Sequence, residues 1–342
     1  IKNTTTATYN WLMLDSMRGA ADDGNDQKIL APNLANAENS DNVRLFITNN
    51  GFGWRDQTGD NISGSGNTFI YMAIRRGPMK TPEDATEVFA MDTKAGTSPN
   101  PPTYTAGSAQ SSTTVTFDQM KGVGTNTSVD TASHNWMFKR APGFFDVVCY
   151  EGTGTNSAGT GQVVNHNLGV QPELVIVKNR DYAKAHFVWS SHMTEQYRMQ
   201  LNDTAQEYDG GDTYWQANST FTATQFGLGY GVNTNRDGDQ HVAYLFASCP
   251  GVSKVGSYTG TGNDIDVNCD FTSGARFVMI KRTDDEGDWY VWDTVRGIIA
   301  GDDPYLLINE DDAEVTNTDY IDPLTTGFTV TSSAPDALNV SS

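Results

Sequence analysis

Residues 289–297, WYVWDTVRG, return almost unchanged at 11–19 as WLMLDSMRG. The repetition runs well beyond this phrase. APGFFDVVCYEGTG (141–154) and CPGVSKVGSYTGTG (249–262) agree at seven of fourteen positions. Each leads to an apolar run ending in a basic residue, LVIVKNR (174–180) and FVMIKRT (277–283). An aromatic run follows each, HFVWSS (186–191) and WYVWDT (289–294), and WLMLDS (11–16) is the third of that set. Leu30, Met199 and Leu306 each stand three residues before an asparagine, Asn33, Asn202 and Asn309. Glu38, Glu207 and Glu314 follow those asparagines by five. GFGW (51–54), QFGL (225–228) and GFTV (327–330) come next, and FIYMAI (69–74) and VAYLFA (242–247) close their units. A chain built this way must fold as a series of like units, each burying its apolar face on itself or on a neighbour.

The type of unit follows from local pattern. Apolar residues recur mainly at every second position, and helical spacing is scarce. Asp-Gly, Asn-Gly and Gly-Gly turns, drawn from 33 glycines, separate short aromatic or β-branched runs. The expected class is all-β, as tandem jelly-roll-like β-sandwich repeats of about 100 residues, too long for propeller blades of roughly 40–50. The boundaries expected are 1–77 for a first, N-terminally incomplete repeat and 78–140 for a linker plus a degenerate partial repeat. A second repeat then spans 141–248, and a third, C-terminally incomplete, spans 249–342. GTSPNPPTYTAGSAQSSTTV (96–115) has linker composition. WMFKRAPG (136–143) takes the place that YLFASCPG (244–251) holds one unit later. The first copy lacks an upstream LVIVK-type strand and the third lacks a closing strand, and the chain opens on Ile1. The expectation is therefore a segment of a longer polypeptide, or ends completed by partner chains.

Charge narrows the partners. The net charge of −20 comes largely from 32 Asp against 10 Glu. Such a surface repels phosphate backbones and anionic headgroups, which argues against nucleic acid and bare membrane. No run of 18 apolar residues is present to span a bilayer. The same carboxylates leave oxygen ligands for Ca²⁺. Three cysteines, Cys149, Cys249 and Cys269, form neither a CxxC spacing nor an even set, so they read as small buried thiols.

In WYVWDTVRG, alternation places Trp289, Val291 and Asp293 on one face and Tyr290 and Trp292 on the other. Arg296 follows Asp293 by three, as Arg18 follows Asp15 in the first copy. The second copy has Ser190 and Met193 instead, so acid and base vanish together. That is how a partly buried ion pair behaves, because losing one partner strands the other's charge. Asp15, Arg18, Asp293 and Arg296 are thus expected to be structural. The recurrent asparagines and glutamates suit turn stabilisation and capping. The metal candidate is NTNRDGD (233–239), where Asn233, Asn235, Asp237 and Asp239 mimic the first half of an EF-hand loop. Its twelfth position is Tyr244, without the bidentate Glu, so it reads as a polar hairpin loop. No other cofactor is indicated. Among five histidines only His186 and His192 are close, without a triad or zinc spacing, and no GxSxG, HExxH or phosphate loop occurs. Nothing makes a positive case for an enzyme. Seven Trp and 14 Tyr leave strands aromatic on both faces. The second face is expected to pack on a neighbouring repeat or subunit, or else to serve a sugar-binding surface.

WxVxDxxRG, the LxxN phrase, FIYMAIRRGPMK (69–80), WMFKRAPGFFDVV (136–148) with YEGTGT, and NHNLGVQPELVIVKNR (165–180) resemble tandem repeats of tail-fibre and other virion-surface proteins of marine tailed bacteriophages. The resemblance covers most of residues 9–342 except the part near 80–115. It implies a non-enzymatic virion structural protein at the virion surface, in a tail fibre or adhesin. The partners implied are other virion proteins, a host surface glycan or protein, and copies of itself, trimers being common among fibres. It carries over no catalytic residues. The alternatives are a tail-associated glycan depolymerase, with two carboxylates facing a groove, and a secreted bacterial surface adhesin.

Overall fold

The computed structural model describes residues 80–94 and 133–340 except 156 and 160, and short strand segments between residues 1 and 78. The chain divides into two compact units, Ile1–Pro78 and Met79–Ser342. In the first, β1 (Lys2–Asn3) pairs with β6 (Phe69–Ile70), and β2 (Lys28–Ile29) with β3 (Asn39–Ser40). β4 (Leu45–Thr48) forms a hairpin with β5 (Gly51–Trp54). Asp15, Arg18, Asn33, Glu38 and the linker-like stretch 96–115 lie outside the described residues.

The second unit is all-β. Its strands are β7 (Phe89–Lys94), β8 (Ser133–Phe138), β9 (Phe145–Glu151), β10 (Gln162–Asn165), β11 (Leu174–Asn179), β12 (Phe187–Ser190), β13 (Tyr197–Gln200) and β14 (Tyr208–Asp209). They continue as β15 (Gln225–Leu228), β16 (Gln240–Phe246), β17 (Ile265–Asn268), β18 (Phe277–Lys281), β19 (Trp289–Asp293), β20 (Leu306–Leu307), β21 (Ile321–Leu324) and β22 (Gly327–Val330). The α-helices among the described residues are single turns, α1 (Val232–Asn235) and α2 (Asp336–Asn339).

A six-stranded antiparallel sheet runs β14-β13-β12-β11-β16-β9. Alternation divides its side chains. Val148, Val175, Val177, Trp189, Ala243 and Leu245 face β10 and β15, and close a core with Val164, Trp215, Phe226 and Leu228. The apolar run LVIV is continuous because its other face is covered too, with Ile176 and Val188 in a separate cluster. The next set repeats the plan. The meander β18-β19-β20 faces β17-β22-β21, and Val278, Ile280, Tyr290 and Trp292 meet Ile321, Phe328, Val330 and Leu338. Pro323 is tolerated in β21 because that strand is an edge.

The two meanders pack back to back. Ile176, Val188, Met193, Met199, Tyr244 and Phe246 from one side meet Trp289, Met279 and Ile308 from the other. The Trp289 indole donates to Gln200 O at 2.9 Å, and Lys281 Nζ donates to Thr204 O at 3.1 Å across the same seam. Both faces of β19 are therefore buried, and all five of its residues are covered. The second aromatic face is covered by the neighbouring sheet. The β7–β8 pair reproduces the ladder of β11 with β16: Phe89 stands opposite Phe138 and Lys94 opposite Ser133, as Leu174 stands opposite Phe246 and Asn179 opposite His241. Its rings cover Phe277, with Phe89 and Trp136 each 5.7 Å away.

Candidate functional site

The phrase WYVWDTVRG ends β19 and turns sharply. Asp293 Oδ1 accepts from Val295 N and Arg296 N, both at 3.0 Å, which ties the turn to the strand end. Its Oδ2 accepts from Arg296 Nε at 2.8 Å and from the Trp136 indole at 2.9 Å. Acid and base side chains are 2% and 1% exposed, so this is a buried ion pair. Arg296 Nη2 also donates to Val291 O at 2.8 Å, and Nη1 lies 3.6 Å from Glu314. Burial pushes the Asp293 carboxyl up, but the hydrogen bonds from Arg296 and Trp136 together outweigh it and hold it below the usual range. In the sister turn Ser190 Oγ keeps the cap on His192 N at 3.2 Å, and Met193 fills the arginine's place as a buried apolar residue.

Beside this network a groove of about 580 Å³ opens, lined by Trp136, Leu306, Leu307, Ile308 and the acidic stretch from Glu310 to Glu314. Glu310, Asp312 and Glu314 are exposed at its rim. An indole wall, an aliphatic floor and carboxylate acceptors suit a sugar ring, which stacks on one face and offers hydroxyl donors at its edge. The rim charge disfavours anionic ligands. The sequence exposed the ingredients, in WMFKRAPG and in the acidic loop, but not their meeting across the fold.

NTNRDGD is not a hairpin loop. Its first half forms the helical turn α1, and its second half runs in parallel bridges with Gly152 and Gly154. Asn235 is fully buried. Its Oδ1 accepts from Thr153 N at 2.8 Å and its Nδ2 donates to Gly229 O at 2.8 Å. Asp239, also buried, accepts from Asn179 Nδ2 at 2.7 Å, while Asp237 is exposed. Asn235 and Asp239 thus hold different partners, and Asn233 is half-buried. Among the described residues no group of three His, Cys, Asp or Glu is placed to hold a metal ion.

What this segment does instead recurs at APDALN. There α2 places Asn339 so that its Oδ1 accepts from Thr261 N and Gly262 N, both at 3.0 Å, and its Nδ2 donates to Asn263 O and Thr331 O. Tyr150 Oη donates to Thr234 O, as Tyr258 Oη donates to Leu338 O. Gly152 and Gly260 let the turn approach, since a Cβ there would meet backbone at 2.1 and 2.6 Å. The shared YxGTG phrase is therefore the receptor of an asparagine clamp. Sequence comparison missed it because the clamp residues, Asn235 and Asn339, sit in dissimilar phrases.

The recurrent LxxN asparagines cap strands. Asn202 Oδ1 accepts from His186 N and Asn309 Oδ1 from Trp289 N. Glu207 accepts from Thr194. Other buried charges were not legible. Arg140 pairs with Asp146 at 1% exposure, and the Arg198 guanidinium lies 3.7 Å over Tyr208 and 4.1 Å over Tyr214. Asp303 is fully buried, accepting from Tyr320 N at 3.0 Å, and burial pushes its carboxyl up to about 7. His186 is half-buried and His192 exposed, without a shared partner. All three cysteines stay out of disulfides.

Neither a curated protein nor a solved structure matches the chain. A profile described as a domain of unknown function, DUF7483, matches residues 1–78 and 97–342, and the chain belongs to that family.

Proposed function

We propose that this is a non-enzymatic virion-surface protein of tailed bacteriophages, a tail fibre or adhesin built from tandem jelly-roll-like β-sandwich repeats. In this reading it assembles with copies of itself and other virion proteins and touches the host through the groove beside Trp136. The observation that carries it is the back-to-back seam. Fusing successive sheet pairs through an apolar layer couples the units rigidly, as a shaft under load requires, and leaves loops free to contact a ligand. The buried charges support the same reading, since Asp293, Asp146 and Asp239 are each spent on holding backbone or a neighbouring side chain. The groove favours neutral or cationic glycans over acidic ones.

The carboxylates at the groove rim favour one second reading, a glycan depolymerase, whose acid and base would come from Glu310, Asp312 and Glu314. One experiment separates the two. Labelled protein is incubated with a panel of purified bacterial surface polysaccharides, and both retention and polymer length are recorded. Binding with full-length polymer, lost in Asp312→Lys, is the expected result. Shortened polymer supports the depolymerase, and absence of binding to any polysaccharide or whole cell removes the adhesin.

A further inference from the structure

The loop between β11 and β12 departs from its sister in charge. Residues 178–185, KNRDYAKA, hold three cations against one acid, whereas the equally long stretch 281–288, KRTDDEGD, holds two cations against four acids. The sister loop settles its own charge, with Arg282 2.8 Å from Asp284 and 3.5 Å from Asp285. Tyr182 stands where the sister has Asp285, and Arg236, next to the clamp residue Asn235, stands where the sister has Val340. The fold brings these two together: the Arg236 guanidinium lies 3.9 Å from the centre of the Tyr182 ring. Tyr182 is nevertheless 49% exposed, so the ring rests on the cation and keeps an open surface toward solvent. Its backbone is fixed. Asn179 Oδ1 accepts from Asp181 N and Tyr182 N, both at 2.9 Å, and Lys178 Nζ donates to Tyr182 O at 3.3 Å. Asn179 is itself tied to Asp239, and Asp181 Oδ2 accepts from Gln240 N at 2.6 Å. A ring held out in solvent by a fully bonded loop adds little to the core, and a cation–π contact at an exposed site is a weak fastener.

We infer that Tyr182, Arg236 and Lys184 form a binding site for a sugar residue that carries a carboxylate, separate from the groove beside Trp136, with which it shares no residue. The open ring offers the flat apolar surface on which the C–H side of a sugar stacks. A guanidinium stacked on an aromatic face keeps its N–H donors at its edge, where a carboxylate accepts from them. Lys184, exposed two residues after Tyr182, adds a second cation. Of the acids nearby, Asp181 and Asp239 are already engaged by Gln240 N and Asn179, the latter 3.8 Å from Arg236, and Asp237 is exposed. A single carboxylate on an otherwise neutral glycan suits this site better than a polyanion. The net charge of −20 repels dense negative charge, whereas one acidic sugar needs only contacts inside a screening length of about 8–10 Å. The same field repels a second copy of this chain. Framework positions recur between the copies, while this exposed loop changes, as loops that carry recognition do. The inference stands independently of the groove.

The test titrates the full chain by saturation-transfer NMR with three probes: trigalacturonate, its fully methyl-esterified form, and maltotriose. Trigalacturonate is expected to bind at least about fivefold more tightly than its ester, because a charge-assisted hydrogen bond is roughly twice as strong as a neutral one, and maltotriose to bind no better than the ester. Tyr182→Phe keeps the stacking face and should retain binding. Tyr182→Ala and Arg236→Gln should each weaken it at least about fivefold. Absence of trigalacturonate binding, equal binding of the methyl ester, or undiminished binding to Tyr182→Ala would overturn the inference. Loss in Tyr182→Phe would overturn it as well, since that variant keeps the ring. Should Tyr182→Ala lower Tm, Lys184→Gln, at an exposed side chain, replaces it. It should weaken trigalacturonate binding about threefold and leave maltotriose unaffected; unchanged trigalacturonate binding counts against the site.

Discussion

Replacing Asp293 and Arg296 with the residues found at the sister turn, Ser190 and Met193, gives a sharp test of how the fold treats charge. Arg296→Met alone leaves a carboxylate 2% exposed without its cation, which costs about 3–5 kcal/mol. Asp293→Ser alone strands the guanidinium and costs a similar amount, about 3–5 kcal/mol. The double variant removes both charges. It loses the acceptor of the Trp136 indole, about 1–3 kcal/mol, but avoids the desolvation of two ions, about 1–4 kcal/mol. The net change falls within about 3 kcal/mol of wild type, and the cycle shows a coupling of at least about 3 kcal/mol. Serine also keeps a turn cap, as Ser190 does for His192 N. Guanidinium unfolding followed by tryptophan fluorescence measures all four proteins. A double variant as unstable as the sum of the singles would refute the reasoning. Acid supplies a second signature. The folded Asp293 pKa is depressed, so its stabilisation is present above the unfolded value of about 3.9 and is lost as pH falls through the folded value. The gap between wild type and Asp293→Ser should close in that window.

Asp303 has the opposite sign. Its folded pKa is raised to about 7, so the stability it contributes is complete below about 3.9 and is lost as pH rises toward 7; Asp303→Asn should flatten that part of a Tm–pH profile. Trp289→Ala empties the seam, costs about 3–5 kcal/mol, and should separate one calorimetric transition into two. Asn235→Ala and Asn339→Ala each orphan buried backbone groups at about 1–3 kcal/mol per group, and the loss should be the same in Ca²⁺ and in chelator if the asparagines are clamps. Trp136→Phe keeps the ring but not the donor, and should retain polysaccharide binding while lowering stability by about 1–3 kcal/mol through the hydrogen bond lost at Asp293 Oδ2, which keeps Arg296 Nε.

The β class was legible because period-2 alternation survives in short segments. LVIVK and FVMIK read as strands, and the strands aromatic on both faces announced a covering neighbour. A backbone role for Asn202 and Asn309 was legible because they recur at matched places, but they cap the strand starts at His186 and Trp289 rather than a local turn. The Asn235 clamp was not, because its partner groups are backbone N–H and C=O of YxGTG, which no side-chain pattern records. NTNRDGD resembled a ligand loop for a related reason. Asn and Asp supply oxygens to metals and to helix ends alike, and here Gly152 lets the turn approach closely enough for Asn235 to hold backbone groups. The groove escaped notice because Trp136 and Glu314 are far apart in sequence and meet only through the β19 turn. Arg140–Asp146 lies within a single phrase, yet the lysine and serine aligned with those positions in the sister copy, Lys254 and Ser248, gave no matching pair to compare.

Mass photometry of the full chain, with and without chelator, tests the fibre reading most directly. A defined homo-oligomer, a trimer being the expected size, with the same mass in chelator is the result the account predicts. A monomer at every concentration, or an oligomer that dissociates when divalent cations are removed, would contradict it.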